Sequence, residues 1–126
     1  MMMGFLSLPA QEKHQQALSP AFLQQLRDSA SYADIVFYPP SEHSLSMEGR
    51  NVQFLTYFIE PVYTSQTPDP AVGYLSFQVD GREMLFAQLF LPAGQIGGYI
   101  VSDLGGRSYC SRLTETGAAF LRKNLR

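Results

Sequence analysis

The side chains that could carry out acid–base or nucleophilic chemistry are few and widely spaced. The chain has two histidines and one cysteine, namely His14, His43 and Cys110. His43 follows Ser41 and Glu42, but a catalytic triad needs its members to converge in space around an oxyanion hole, and sequence neighbours alone do not do this. We therefore expect His43 to be a solvated loop residue without a catalytic role.

A metal or cofactor site is not expected either. Zinc in proteins usually takes three or four ligands, whereas the histidines and the cysteine are scattered from position 14 to position 110. Cys110 alternates with Tyr109 and Ser111, which is typical of a half-buried structural cysteine in a strand. The glycine-rich segment 92–98, PAGQIGG, lacks the lysine of a phosphate-binding loop. The sequence predicts a non-enzymatic protein without a cofactor.

Charge is distributed unevenly along the chain. The net charge is −2, and residues 1–106 hold four Lys and Arg against ten Asp and Glu, a net charge of −6. Residues 107–126 hold five cations against Glu115, a net charge of +4. Cations at the end of a helix are favoured by its dipole, but the same cations are our candidate for a partner-binding basic patch: Arg107, Arg112, Arg122, Lys123 and Arg126.

One segment suggests a different class of function. Residues 99–125, YIVSDLGGRSYCSRLTETGAAFLRKNL, resemble the wing and following helix of winged-helix regulators of the multiple-antibiotic-resistance type. Leu113, Thr114 and Gly117 match the Leu-Thr-x-x-Gly start of that helix, and Arg107 follows the turn of the wing. The resemblance covers about a fifth of the chain and implies DNA binding as an alternative function. The recognition helix that should precede the wing is missing from the pattern, because residues 73–91 predict a β-hairpin.

That hairpin is the strongest structural signal in the chain. Asp80 and Gly81 separate two apolar runs, and Asp-Gly favours a type I′ turn because both central residues need positive φ. A two-residue loop predicts the pairs Leu75 with Phe86, Phe77 with Met84 and Val79 with Arg82. In this register the second strand is apolar on both sides, which predicts a central strand covered on each face.

The other elements are predicted from periodicity and from breaker residues. Ser19 and Pro20 are typical of a helix start, Thr114 is a plausible N-cap of a final helix, and Gly105-Gly106 indicates a second hairpin. In chain order we predict a helix in 9–18, a helix at 20–29, a strand at 32–38, a polar loop at 39–51 and a strand at 52–59. The hairpin at 73–91, strands at 99–104 and 107–113, and a helix from 115 follow.

These elements define the expected fold and function. We predict a single α+β domain over residues 1–126, with a mainly antiparallel sheet of about five to seven strands, an N-terminal and a C-terminal helix, and a flexible segment at 1–9. One cysteine and no long apolar run favour a cytoplasmic protein without a membrane span.

The function expected is binding of another protein, as an adaptor, inhibitor, immunity factor or chaperone-like protein, with self-association as a homodimer as a further expectation. A DNA-binding regulator and a small-molecule-binding domain or enzyme with a pocket between sheet and helix remain alternatives. We expect no nucleic-acid partner, because the overall charge is negative.

Overall fold

The computed structural model of the protein describes residues 16–125. In chain order its elements are α1 (Pro20–Ser29), β1 (Tyr32–Phe37), β2 (His43–Glu48), α2 (Arg50–Thr56), β3 (Ile59–Tyr63), β4 (Gly73–Val79), β5 (Arg82–Phe90), β6 (Tyr99–Leu104), β7 (Arg107–Leu113) and α3 (Glu115–Asn124). The flexible segment predicted at 1–9, most of the helix predicted in 9–18, His14 and Arg126 lie outside the described residues. No helix among residues 16–125 is long and apolar enough to cross a membrane.

All seven strands form one antiparallel sheet, in the order β2-β1-β4-β5-β6-β7-β3. The sheet, the two terminal helices and the short internal helix α2 confirm the predicted α+β fold. Four of the six neighbour pairs are consecutive along the chain, which is what hairpin connections produce. The other two pairs, β1 with β4 and β3 with β7, join strands that are not consecutive, and β3 crosses to the far edge.

The three helices pack against one face of the sheet, called here the helical face. This face carries the alternate strand residues that side chains of a pleated strand direct to one side. The buried core between sheet and helices includes Ala33, Ile35, Phe37, Leu75, Phe77, Leu85, Ala87, Leu89 and Ile100 from the strands, and Leu23, Leu26, Val52, Leu55, Ala118 and Leu121 from the helices. The opposite face carries no helix among the described residues and is called the open face.

Both long helices begin as the sequence predicts. The Ser19 side chain accepts a hydrogen bond from the Phe22 amide at 3.0 Å, and Thr114 Oγ1 accepts one from the Gly117 amide at 2.9 Å. Each cap satisfies an amide that has no partner within the first helical turn. The predicted helix at 20–29 and the predicted final helix are confirmed.

The strand predicted at 52–59 is wrong, because residues 50–56 form α2. Val52, Leu55 and Thr56 are buried while Phe54 is exposed, a spacing of three and four residues that belongs to one helical face. Alternation and helical spacing both fit a segment in which almost every residue is apolar or aromatic. The strand begins only at Ile59 and includes Pro61, which the outer edge of a sheet tolerates.

The polar loop predicted at 39–51 is also corrected, because residues 43–48 form β2. Each β2 residue is in register with β1, from His43 opposite Phe37 to Glu48 opposite Tyr32. Leu45 and Met47 pack against the core, whereas the intervening serines are exposed. An edge strand needs only one apolar side of modest size, so its composition resembles that of a loop.

The central hairpin is confirmed, with Asp80 at φ 51° and Gly81 at φ 78° in the turn. Its register is not the predicted one. The pair Val79 with Arg82 holds, but the ladder shifts by one residue at Met84, so that Phe77 lies opposite Leu85. This shift is a β-bulge, in which two residues of one strand oppose one residue of the other.

The bulge changes which β5 side chains face the core. Leu85, Ala87 and Leu89 point to the helical face and are buried, while Phe86 and Gln88 lie on the open face and are exposed. The prediction that both faces of β5 are covered is therefore wrong at Phe86 and Gln88, and it holds only at the end of the strand, where Phe90 is buried on the open face beside Tyr99 and Cys110.

The N-terminal end of the described chain lies along β7. The Cys110 amide donates to the Gln16 carbonyl at 2.8 Å, and the buried Leu18 amide donates to Ser111 Oγ at 2.9 Å. These bonds lie along the part of the β7 edge that β3 does not cover. They fix the start of α1 against the end of the sheet.

Candidate functional site

Two aromatic side chains on the helical side of the molecule are unusually exposed. Phe54 is 52% exposed and Tyr57, the residue that ends α2, is 62% exposed. They lie three residues apart, so they share a side of the helix, and Val52 and Leu55 on the other side anchor α2 in the core. The geometry of α2 thus presents both rings to solvent.

The exposed ring of Phe54 belongs to an aromatic cluster between α2 and α3. The Phe54 ring centroid lies 5.0 Å from that of Phe58, and Phe58 lies 5.4 Å from Phe120 on α3. Phe54 and Phe120 are 6.2 Å apart and perpendicular. Edge-to-face pairs at these distances are favourable arrangements for aromatic rings. We call Phe54, Tyr57 and Phe120 the aromatic patch, with buried Phe58 as its base.

Cations border the aromatic patch. The guanidinium carbon of Arg27 lies 4.2 Å from the centroid of the Tyr57 ring. Arg50 is exposed and precedes Phe54 by four residues on α2, and Lys123 is exposed and follows Phe120 by three residues on α3. Residues at these spacings lie on the same side of a helix. We call Arg27, Arg50 and Lys123 the cationic rim.

The five residues of the predicted basic patch are placed differently from one another. Arg122 donates to the carbonyls of Pro92, Ile96 and Gly97 at 2.9, 2.7 and 2.6 Å, and so holds the 92–98 segment against α3. Arg107 and Arg112 sit at opposite ends of β7. Lys123 belongs to the cationic rim, and Arg126 lies outside the described residues.

Arg112 stands between two shallow cavities. Its Nε donates to Glu60 Oε1 at 2.6 Å, and its side chain is 52% exposed. A cavity of about 250 Å³ lies on one side and a cavity of about 290 Å³ on the other, and both are lined by Arg112 and Gly97. The first is also lined by Thr64, Ser65, Thr67, Gln95, Gly98 and Tyr99, and the second by Glu60, Leu113 and Glu115.

Cys110 and His43, the thiol and the imidazole among the described residues, each lie in an apolar or aromatic environment. Burial raises the pKa of the Cys110 thiol from 9.0 to about 11, so that the thiol stays protonated at neutral pH and is a poor nucleophile. The ring of His43 stacks on Phe37 at 6.1 Å, at the start of β2. Among residues 16–125, no group of three or more His, Cys, Asp or Glu side chains is placed to hold a metal ion.

The open face carries a polar network and a second group of aromatic rings. Asp34 accepts from Ser46 Oγ at 2.7 Å, and Ser76 Oγ donates to Glu83 Oε2 at 2.9 Å. The rings of Tyr74 and Phe86 lie 4.9 Å apart beside this network. Phe86 is 41% exposed, so it offers a comparison for the more exposed rings of the aromatic patch.

The part of the chain that resembles a winged-helix regulator forms the expected hairpin and helix. β6 and β7 are joined by Gly105 and Gly106, both with positive φ, and α3 follows. Residues 64–98, which precede the hairpin, contain strands and loops and no helix. The recognition helix that the resemblance requires is therefore not in its place.

The aromatic patch was not among the residues singled out from the sequence. Phe54 and Tyr57 were assigned to a strand, where they point to opposite faces, and only helical geometry brings them to one side. Phe120 lies in the predicted final helix and was not singled out either. The signal available in the sequence was the spacing of Arg50, Phe54 and Tyr57, four and three residues apart, which places all three on one helical face.

Comparisons with protein-family models, with curated proteins and with solved structures found no match to this chain.

Proposed function

We propose that this protein works by binding another protein through the aromatic patch and the cationic rim. The observation that carries the proposal is the exposure of Phe54 and Tyr57, each more than half accessible, with Phe54 packed edge-to-face on buried Phe58 and Tyr57 packed under Arg27. Exposed aromatic rings next to arginine are the composition of interface hot spots. A contiguous apolar surface with charged neighbours marks interaction sites in soluble proteins.

The rim supports a partner of defined chemistry. Arg27, Arg50 and Lys123 carry three positive charges next to the rings, although the whole chain has a net charge of −2. We therefore propose a partner segment with apolar side chains that cover the rings and with carboxylates that meet the rim. Such complementarity raises the association rate and its sensitivity to salt more than the affinity itself.

The proposal is tested by selecting random peptides on the immobilised protein and measuring the affinity of the selected peptides. We expect enrichment of peptides that combine aromatic or large aliphatic residues with Asp or Glu. Their affinity should fall about tenfold or more for the double variant Phe54→Ala/Tyr57→Ala, since truncation of a hot-spot residue costs ~2 kcal/mol or more. Their association rate should also fall with added salt.

A matched control comes from the other side of the sheet. Phe86→Ala removes an exposed aromatic ring of the open face and should leave peptide affinity unchanged. Enriched peptides that bind the double variant as tightly as the wild type, or that lose affinity only for Phe86→Ala, would show that the aromatic patch is not the binding surface.

A small-molecule site beside Arg112 is the second candidate function, and the two cavities that share this side chain favour it. The guanidinium and the neighbouring hydroxyl groups suit a carboxylate or phosphate group. If this candidate holds, titration with acetate or with inorganic phosphate should change the amide chemical shifts of residues 64–67 and 95–99. Arg112→Gln should abolish the perturbation, whereas Arg82→Gln, at the distant β4–β5 turn, should not.

DNA binding is the less favoured alternative, because residues 73–91 form a hairpin where the regulator would need its recognition helix. We place the proposed interaction in the cytoplasm, where a single buried cysteine is kept reduced.

A further inference from the structure

The two edges of the sheet differ in how well they are protected against pairing with another strand. At one edge, β3 contains Pro61, and its register with β7 shifts between Ile59 and Tyr63. Proline and irregular register are devices that prevent an edge strand from pairing further. This edge is therefore blocked.

The other edge, β2, has none of these devices. Its six residues, HSLSME, contain no proline, lysine or arginine, and all six are in continuous register with β1. Ser44, Ser46 and Glu48 are exposed, and Leu45 and Met47 are only partly buried at the margin of the core. A regular strand of this kind presents a row of backbone amide and carbonyl groups that can accept another strand.

We propose that β2 pairs with β2 of a second copy of this chain, antiparallel and centred on Ser46, so that two seven-stranded sheets join into one. A two-fold axis perpendicular to the sheet generates such an isologous contact. The axis keeps the helical faces of both copies on the same side. Opposed residues must then come from the same face, so their residue numbers add up to an even number.

Side-chain chemistry selects the register among those that symmetry allows. Centring on Ser46 places Leu45 opposite Met47 of the partner copy on the helical face, and Ser44 opposite Glu48 on the open face. Centring on Leu45 would instead place His43 opposite Met47 and leave Glu48 without a strand partner, because Glu42 precedes β2 and has φ 44°. Cross-strand apolar pairs and hydroxyl–carboxylate pairs stabilise a sheet. The register centred on Ser46 is the self-complementary one.

The first test is the oligomeric state of the full chain, measured by sedimentation equilibrium. We expect a reversible dimer. Ser46→Lys places two lysines opposite each other at the axis, while within one copy the new ammonium still lies beside Asp34, which Ser46 now contacts. We expect the dimer dissociation constant to rise by at least about tenfold, since like charges brought together across an interface cost several kcal/mol. Thermal melting at a concentration far below the dimer dissociation constant, where each copy is a monomer, should change little.

The second test measures the register directly by disulfide formation. Directly opposed residues on antiparallel strands have Cα atoms about 4.5–5.5 Å apart, within the range that a disulfide bridges. Ser46→Cys should therefore form a covalent dimer under mild oxidation. Ser44→Cys is the matched control on the same face of the same strand, and its two copies should stay unlinked, because residue 44 lies opposite residue 48.

The wild type, oxidised in the same way, controls for any crosslinking through the buried Cys110. A wild type that stays monomeric at the highest soluble concentration would overturn the proposal, and so would a dimer in which Ser44→Cys crosslinks and Ser46→Cys does not. A dimer that Phe54→Ala/Tyr57→Ala dissociates and Ser46→Lys does not would also overturn it, since the contact would then involve the aromatic patch.

Discussion

Arg27 lies over the ring of Tyr57, with 4.2 Å between its guanidinium carbon and the ring centroid, while its Nε is buried without a hydrogen-bond partner among residues 16–125. The contact with the ring contributes about 0.5–1 kcal/mol at an exposed site. A buried donor without a partner costs about 1–3 kcal/mol. The two effects oppose each other within one side chain.

We predict from this balance that Arg27→Met does not lower the free energy of unfolding and raises it by up to about 2.5 kcal/mol. Chemical denaturation measures the change, and peptide binding to the aromatic patch should weaken in the same variant because the rim loses a charge. A loss of stability greater than about 1 kcal/mol would show that the Nε finds a partner in solution.

The central turn provides a second prediction. Gly81 has φ 78°, and a Cβ added there would meet no atom within 4 Å, so the cost of substitution comes from the backbone conformation alone. Gly81→Val should lower the free energy of unfolding by about 1–3 kcal/mol. Gly97→Val is the control, because Gly97 also has open space around it but no positive φ. An unchanged melting temperature for Gly81→Val would contradict the importance of this turn.

The third prediction concerns the packing of α3 on the base of the aromatic patch. A Cβ at Gly117 would lie 2.6 Å from Cγ of Phe58, too close for any ordinary contact. Gly117→Ala should therefore destabilise the protein by about 1–3 kcal/mol. Phe58→Ala removes Cγ and Cδ1, two of the three nearest atoms, so the double variant should lose less stability than the sum of the two single changes, and a double-mutant cycle measures the coupling. Strict additivity of the two changes would mean that α3 moves away from the ring.

Cys110 predicts a dependence of stability on alkaline pH. Its folded pKa of about 11 exceeds the value of 9.0 for an unperturbed thiol, because burial disfavours the thiolate. The folded state then holds the proton more tightly than the unfolded state. The contribution is fully present below pH 9 and is lost as the pH rises toward 11. The difference in unfolding free energy between the wild type and Cys110→Ala should shrink over this interval, as denaturation at several pH values would measure.

The fifth prediction separates two adjacent cations of α3. Arg122→Met removes three hydrogen bonds to the 92–97 carbonyls, and since each bond to a charged group contributes about 1.5–3 kcal/mol, the loss should be about 2 kcal/mol or more. Lys123→Met removes only an interaction with the helix dipole, at about 0.3–1 kcal/mol. Urea denaturation compares the two variants, and equal losses would show that the contacts of Arg122 contribute little.

The sequence predicted those parts of the fold that local chemistry determines. Both helix caps, both glycine turns and the antiparallel α+β architecture follow from interactions within a few residues, as with Ser19 and the Phe22 amide. Segments whose composition satisfies two geometries were not predicted. Residues 52–59 are apolar enough for a strand or a helix. The helix that follows Gly49 is favoured by its packing near α1, and the sequence does not show this tertiary contact.

The errors at β2 and Met84 have a different origin. An edge strand buries little, so HSLSME has no strong periodicity, and its pairing with β1 is visible only in three dimensions. The bulge at Met84 shifts the ladder by one residue, and period-two alternation cannot indicate where such a shift occurs. The role of Arg122 was hidden for a similar reason, because its acceptors lie 25 to 30 residues away in the chain.

The hydrogen bond between the Leu18 amide and Ser111 Oγ joins residues that are 93 positions apart. During translation, α1 and β3 leave the ribosome long before β7, the strand that holds them both. A nascent chain that ends near residue 105 therefore exposes the partners of β7 and of α3, and it resembles a folding intermediate with unpaired strand edges. The fold of residues 16–125 is completed only after β7 and α3 have been synthesised.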